Sequence, residues 1–236
     1  MAGIDLKNLS KTYRVDGRPL PVLQGIDLEI PEKSITVILG RSGCGKTTLL
    51  RLVSGLEEAD SGEIHFAAAH KTAYVFQEAR LMPWLTVWEN ITFGLKKKTA
   101  DPAVIQGIID TVGLHGFENA APHQLSGGMQ QRVAIARALA YDPSFIMMDE
   151  PFAALDYFTR EQMQKELIRL QESRGTGILF VTHSIDEALL LGHKLVIIEN
   201  GAVKREFCIE TESGKRDLLS PAFIELKRSI LEELDL

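Results

Sequence analysis

The segment Gly40-Arg-Ser-Gly-Cys-Gly-Lys-Thr-Thr48 constrains the fold more than any other, because it follows directly on the apolar run Ile35–Leu39. Gly40, Gly45, Lys46 and Thr47 occupy the fixed positions of G-x-x-x-x-G-K-[ST]. Glycines let the backbone curl until successive N–H groups face one anion. A helix starting near Lys46 adds its positive end, the Lys46 ammonium reaches the β and γ phosphates, and the Thr47 hydroxyl is placed for Mg2+. Gly43, Cys44 and Thr48 belong to the same cradle, whereas Arg41 and Ser42 contribute only backbone donors. A buried strand, a glycine turn and a helix in that order predict an α/β domain that binds its ligand at a strand end.

A second apolar run, Phe145-Ile-Met-Met-Asp149-Glu150, ends in two carboxylates. A parallel sheet brings that end beside the phosphate loop. Asp149 suits Mg2+, held through water, since this hard ion takes one or two carboxylates together with phosphate oxygens. Glu150 is then free to accept a proton from an attacking water or to orient it.

The rest of the pattern agrees with this frame. Ile4–Leu9 and Val22–Ile30 read as strands, with a turn over Arg14–Pro21, and Glu63–Ala67 and Ala73–Phe76 follow as short strands. From Thr86 to about Ala140 the apolar spacing turns helical, which predicts a helical subdomain, 86–140, inserted into a nucleotide-binding core of 1–85 and 141–236. Further strands at Ile178–Thr182, Leu195–Ile198 and Ala202–Phe207, with helices over Tyr157–Arg174 and Ser184–Leu191, predict a parallel sheet flanked by helices. An amphipathic helix through Phe223, Leu226, Ile230 and Leu234 closes the chain. Lys96–Lys98 reads as a solvated face.

The formal charge of -6 offers no general attraction to nucleic acid, which is expected not to be a partner. The N-terminus has neither the basic nor the apolar region of a signal peptide, and no run approaches the roughly 18 apolar residues of a membrane span. Membrane association is therefore expected only through a partner or a surface. Two cysteines, Cys44 and Cys208, are too few for a disulfide framework and suit a reducing compartment. Cys44 lies near a helix N-terminus that can lower a thiol pKa, so redox control and compact filling of the loop are both open.

Leu125-Ser-Gly-Gly-Met-Gln-Gln-Arg132, standing before the Asp149 strand, completes a set that resembles the ABC transporter ATPases over essentially the whole chain. Ser126, Gly127 and Gly128 open a helix, where a hydroxyl and bare amides form a second anion site. The resemblance implies a core with a parallel sheet, an N-terminal antiparallel β subdomain and the inserted helical one. It implies ATP and Mg2+ as ligands, Gln130 among the ATP-binding residues, and a head-to-tail dimer in which Ser126 of one chain faces the γ-phosphate held by Lys46 of the other. Tyr13 resembles the aromatic that stacks on adenine; without the resemblance it reads more readily as a core aromatic. Gln77 resembles the glutamine that contacts Mg2+ or the attacking water, and His183 resembles the switch histidine that holds the γ-phosphate and Glu150. Asp156, in Ala153-Ala-Leu-Asp156, matches the loop that crosses the dimer interface, although Ala153 and Ala154 stand where relatives often have glycine or serine.

Leu81-Met-Pro-Trp-Leu-Thr-Val-Trp-Glu-Asn90 and Glu150-Pro-Phe-Ala-Ala-Leu-Asp156 resemble the nitrate, sulfonate and taurine importer group, which also includes proteins for thiamine-precursor pyrimidines. That group implies a motor subunit at the cytoplasmic face of the inner cell membrane. Its partners would be a second copy or a paralogue, two transmembrane permease subunits and, indirectly, an extracytoplasmic solute-binding protein. Pro83, Trp84 and Trp88 then form part of the groove for the permease, with packing inside the helical subdomain as the alternative. A chain of this length is expected to lack the C-terminal regulatory domain of the sugar importers. An exporter or lipoprotein-extraction motor, and a non-transport ATPase acting on nucleic acid or ribosomes, are the rival readings.

Overall fold

Four apolar segments with no water-facing side, at 35–39, 145–148, 178–181 and 195–198, leave the chain only one economical arrangement, a parallel sheet covered on both faces. The computed structural model describes residues 2–67, 70–95, 101–211 and 216–234; Lys96–Lys98 lies outside them. Strands β1 (Ala2–Val15), β2 (Arg18–Pro31) and β4 (Ser61–Phe66) form an antiparallel sheet in the order β2-β1-β4. The main sheet joins β3 (Ile35–Leu39), β5 (Thr72–Val75), β6 (Phe145–Asp149), β7 (Gly177–Val181), β8 (Lys194–Glu199) and β9 (Ala202–Cys208) in the order β5-β6-β7-β3-β8-β9. All its pairings are parallel except the β8–β9 hairpin.

Helix α1 (Lys46–Val53) follows β3, and α2 (Val87–Thr92), α3 (Pro102–Thr111) and α4 (Gly127–Ala140) lie between β5 and β6. Helices α5 (Tyr157–Arg174) and α6 (Ile185–Leu191) flank β7, and α7 (Pro221–Glu233) ends the described chain. Every residue of β3, β6 and β7 is buried. Burial of a Leu, Ile or Phe side chain contributes about 1.5–3 kcal/mol, so these three strands anchor whatever is mounted on their ends. One face of the sheet packs through Val37, Met148 and Phe180 against α4 and α5, and the other through Ile38, Met147 and Leu179 against α1 and the antiparallel sheet.

The expected turn over Arg14–Pro21 is shorter in the structure. Only Asp16 and Gly17 turn, both at positive φ, while β1 runs on to Val15 and β2 begins at Arg18. Pro19 and Pro21 are tolerated within β2 because it is the edge of its sheet. Helix α5 has the bounds the sequence predicts: the Asp156 side chain accepts from Thr159 N–H at 3.0 Å, and Gly175 ends the helix in the left-handed region. Trp84 is 76% exposed, but Trp88 is only partly so and packs on the core, so the expected aromatic cluster is divided.

Candidate active site

Four neighbouring strands, β5, β6, β7 and β3, point the same way, and each carries a candidate residue just past its end. Gln77 follows β5, Asp149 and Glu150 close β6, His183 follows β7 and the glycine loop follows β3. The pairing order alone therefore brings together residues separated by up to 143 positions, Gly40 to His183. Of these, Gln77, Glu150, His183 and the loop residues Ser42, Gly43, Gly45, Lys46, Thr47 and Thr48 line a cleft of about 490 Å3, and Asp149 is bonded to Thr47 on its wall. A second cleft of about 390 Å3, between Lys33, His70, Asp142 and Arg174, lies at the opposite ends of the strands and holds none of these groups.

The loop needs its glycines for different reasons. A Cβ on Gly40 would sit 2.4 Å from the Ile198 carbonyl oxygen, and one on Gly45 would meet Leu23 at 2.6 Å with the backbone at φ 104. Gly45 caps α1 in the left-handed region, which turns the first amides of the helix toward the cleft. Lys46 is buried, and its Nζ donates to the carbonyls of Gly40 at 2.7 Å and Arg41 at 3.0 Å. Its ammonium is thus held against the glycine loop. The Cys44 Sγ is 4.0 Å from that ammonium, and burial pushes the thiol pKa up, away from the reactive thiolate; compact filling is the reading this favours.

The Thr47 hydroxyl donates to Asp149 Oδ1 at 3.0 Å, and the Tyr74 hydroxyl donates to Oδ2 at 3.4 Å. Burial raises the Asp149 carboxyl above its ordinary pKa, with the Thr47 bond opposing it. A buried carboxylate oxygen beside a hydroxyl at a phosphate loop is a set of hard oxygen donors, which fits Mg2+.

Glu150 adopts φ 44, a left-handed backbone unusual outside glycine and one that costs about 1–3 kcal/mol. The turn is held by a bond from Glu150 N–H to the Val181 carbonyl at 3.0 Å, and it swings the carboxylate out of the strand line. Glu150 Oε2 then lies 3.2 Å from His183 Nδ1 and 3.4 Å from Gln77 Nε2. His183 is exposed and is placed by its neighbours rather than by burial. Thr182 Oγ1 donates to Glu187 Oε2 at 2.6 Å and accepts from Ser184 N–H at 3.0 Å, fixing the turn on either side of the imidazole. Tyr74, Thr182 and Glu187, bonded to or beside candidate site residues, are ones that sequence reasoning misses; only the Ser184-x-x-Glu187 spacing, a helix-start pattern, hints at any of them.

Ser126, Gly127, Gly128, Gln130 and Asp156 are not part of this cleft. They form a second group, in which the Gly128 Cα faces Leu155 and Ala154, with room for a Cβ only 3.2 Å from the Leu155 side chain. Ser126 Oγ accepts from Met129 N–H at 3.2 Å and so caps α4. The Gln130 amide is turned inward, donating to the carbonyls of Pro122 at 3.0 Å and Leu125 at 3.3 Å. Helix α4 also braces the Gln77 loop, through Gln131 to the Phe76 carbonyl at 2.9 Å and Arg137 to those of Ala79 and Arg80. Tyr13, beyond the cleft's described lining, reaches Thr48 Oγ1 at 3.5 Å, which sets its ring beside α1.

A phosphate cradle, a strand-end carboxylate pair and a separate serine-glycine helix start on one α/β sheet define a nucleotide-hydrolysing cassette. The chain belongs to the ABC transporter family, whose profile matches residues 23–153, and it is an ATP-binding ATPase subunit of that family. Among its relatives, an aliphatic sulfonates import ATP-binding protein SsuB of Bacillus cereus is 38% identical over 98% of this chain and 96% of its own. A taurine import ATP-binding protein TauB of Jannaschia is 39% identical over 98% of this chain and 93% of its own. An uncharacterized ABC transporter ATP-binding protein of Methanocaldococcus jannaschii is 42% identical over 98% and 91%. A solved ATP-binding cassette, a dimer in a post-hydrolysis state bound to ADP and Pi, superposes with a TM-score of 0.81 at 32% identity, covering 88% of this chain and 99% of that one.

Proposed function

We propose that the chain is the ATP-hydrolysing motor of an importer for a small solute of the sulfonate or taurine kind, working as a head-to-tail dimer beneath a membrane permease. The observation that carries this is the division of one chain into two half-sites. Lys46, Gln77, Glu150 and His183 line one cleft, with Asp149 bonded to Thr47 on its wall, while Ser126 and Asp156 stand outside it, where a second chain would use them. The names of the SsuB and TauB relatives support the solute class.

In this reading the amides of Gly43 to Thr48 and the Lys46 ammonium cradle the phosphates, and Tyr13 stacks on adenine. Thr47 and Asp149, with Gln77, would hold Mg2+, and the ion would supply positive charge to the phosphate oxygens. Glu150 orients the attacking water and accepts its proton. His183, 3.2 Å away, keeps Glu150 aimed and meets the γ-phosphate. Ser126 and Gly127 of a second subunit close over the same phosphate from their helix start. Closure is relayed outward because α4, which starts at Gly127, is bonded to the carbonyls of Phe76, Ala79 and Arg80 around Gln77. Segment 86–140 would then move as one helical unit, with exposed Pro83 and Trp84 meeting the permease at the cytoplasmic face. Among the described residues no helix is long and apolar enough to cross a membrane.

The test is recovery of tagged Glu150→Gln chain from native membranes with ATP present. Co-purification of an integral membrane permease is expected; recovery with ribosomal or DNA-bound partners alone, from intact membranes, contradicts the reading.

A further inference from the structure

Two contacts of the proposed nucleotide site are joined by a run of side chains that the hydrolysis scheme leaves unused. Tyr13, at the adenine end, donates its hydroxyl to Glu57 Oε2. Glu57 Oε1 accepts from Arg51 Nη1 at 3.1 Å, and Arg51 lies on the last turn of α1, the helix that starts at Lys46. The Arg51 guanidinium in turn neighbours the Tyr74 hydroxyl, which donates to Asp149 Oδ2 at 3.4 Å. Residues from β1, from α1 and the loop after it, from β5 and from β6 thus meet along one line.

We propose that Arg51 and Glu57 are positioning residues that link the adenine-stacking ring of Tyr13, through Tyr74, to the metal-binding carboxylate Asp149. This rests on the nucleotide site proposed above and deepens it: base recognition and metal binding become two ends of one run of neighbouring polar side chains. Three features favour a linkage over a set of incidental surface pairs. Each carboxylate oxygen of Glu57 serves a different partner, so moving the Tyr13 hydroxyl shifts the anchor of Arg51. The Arg51–Glu57 pair is half-exposed, with side-chain exposures of 38% and 24%, so solvent screens it less than a fully exposed pair. Asp149 has both oxygens engaged, Oδ1 by Thr47 and Oδ2 by Tyr74, so its orientation depends on where Tyr74 is held. Partners behind a metal ligand commonly set its affinity.

Linkage is reciprocal: if the ring position biases Asp149, the metal must tighten the hold on the base by the same factor. The bland alternative is that Tyr13 offers only a flat ring, in which case its hydroxyl is dispensable.

The experiment uses the full chain carrying Glu150→Gln, so that nucleotide is not consumed, and reads the dissociation constant of a fluorescent ribose-labelled ATP with Mg2+ and with EDTA. The ratio of the two is the metal-dependent tightening. Tyr13→Phe keeps the ring and is expected to lower that ratio about fivefold. Tyr74→Phe is expected to lower it about tenfold. The double variant should do no worse than Tyr74→Phe alone, because both cut the same chain. Arg51→Gln cuts it between them and should lower the ratio by at least as much as Tyr13→Phe and no more than Tyr74→Phe, which keeps the test intact if Tyr74→Phe does not fold by thermal melting. An unchanged ratio in Tyr13→Phe, or losses that multiply in the double variant as independent sites do, overturns the proposal while leaving the nucleotide site standing. Absence of Lys46-dependent nucleotide binding in the parent chain overturns both.

Discussion

Glu150 Oε2 and His183 Nδ1 lie 3.2 Å apart because their strands, β6 and β7, are adjacent and parallel and end level with each other. Asp149 pairs with Val181, so the next residue on one strand and the next but one on the other face the same space. Glu150→Gln keeps the size of the side chain and removes its basicity. Phosphate release is expected to fall by about 10²–10⁴-fold with nucleotide binding preserved; near-normal turnover would remove Glu150 from its role.

Thr182 acts on His183 without touching substrate. Thr182→Val deletes the donor that bonds the buried Glu187 carboxylate at 2.6 Å. A loss of about 1–3 kcal/mol of stability is expected from denaturant unfolding, together with a fall in kcat larger than any rise in KM for ATP. Equal effects on both would mean that the loop serves binding and not hydrolysis.

The loop glycines should rank by what surrounds them. Gly43 is at φ 81 with open space around a Cβ, so Gly43→Ala adds backbone strain of about 1–2 kcal/mol and little else. Gly40→Ala drives a methyl to 2.4 Å from the Ile198 carbonyl oxygen, which cannot swing aside as a side chain can. Nucleotide binding, measured by titration, is expected to survive Gly43→Ala better than Gly40→Ala, and the reverse order would contradict this geometry.

Acid should loosen the strand that carries the phosphate loop. His193 Nδ1 accepts from Ile35 N–H at 3.1 Å at the start of β3, and burial, with Arg216 nearby, holds its pKa below the ordinary 6.5. The unfolded chain therefore binds the proton more readily than the folded one. Stability contributed by neutral His193 is complete above about pH 6.5 and is lost as pH falls from there toward the folded pKa. Melting temperature against pH should decline over that range, and His193→Asn should flatten the decline. An unchanged slope would mean that His193 does not titrate with folding.

Much of this site is legible in the sequence because its chemistry sits in contiguous motifs. Gly40 to Thr48 and Leu125 to Arg132 each carry their function within one turn of chain, and apolar runs such as Phe145–Met148 admit no reading but a buried strand. Tyr74, Thr182, Glu187, Arg51 and Glu57 are hidden for the opposite reason. Each acts through a partner on another element, and a lone arginine on α1 or tyrosine in β5 looks like any half-buried side chain. The length of β1 is obscured by its register shifts at Leu6, Leu9 and Lys11, which break the alternation that marks a strand. Trp88 is ambiguous in the sequence because the same aromatic suits a groove or a core, and its packing decides.

Two half-sites that meet across a dimer are the centre of the proposed mechanism, and mixing two inactive chains tests them directly. Lys46→Ala spoils the cradle and Ser126→Glu spoils the helix start, so neither variant alone forms an intact composite site. A mixed dimer contains one site built from the intact Lys46 of one chain and the intact Ser126 of the other. ATP hydrolysis is expected to be absent from each variant and to return on mixing. No activity in the mixture, with both variants folded and associating in ATP, would mean that the half-sites do not complete one another.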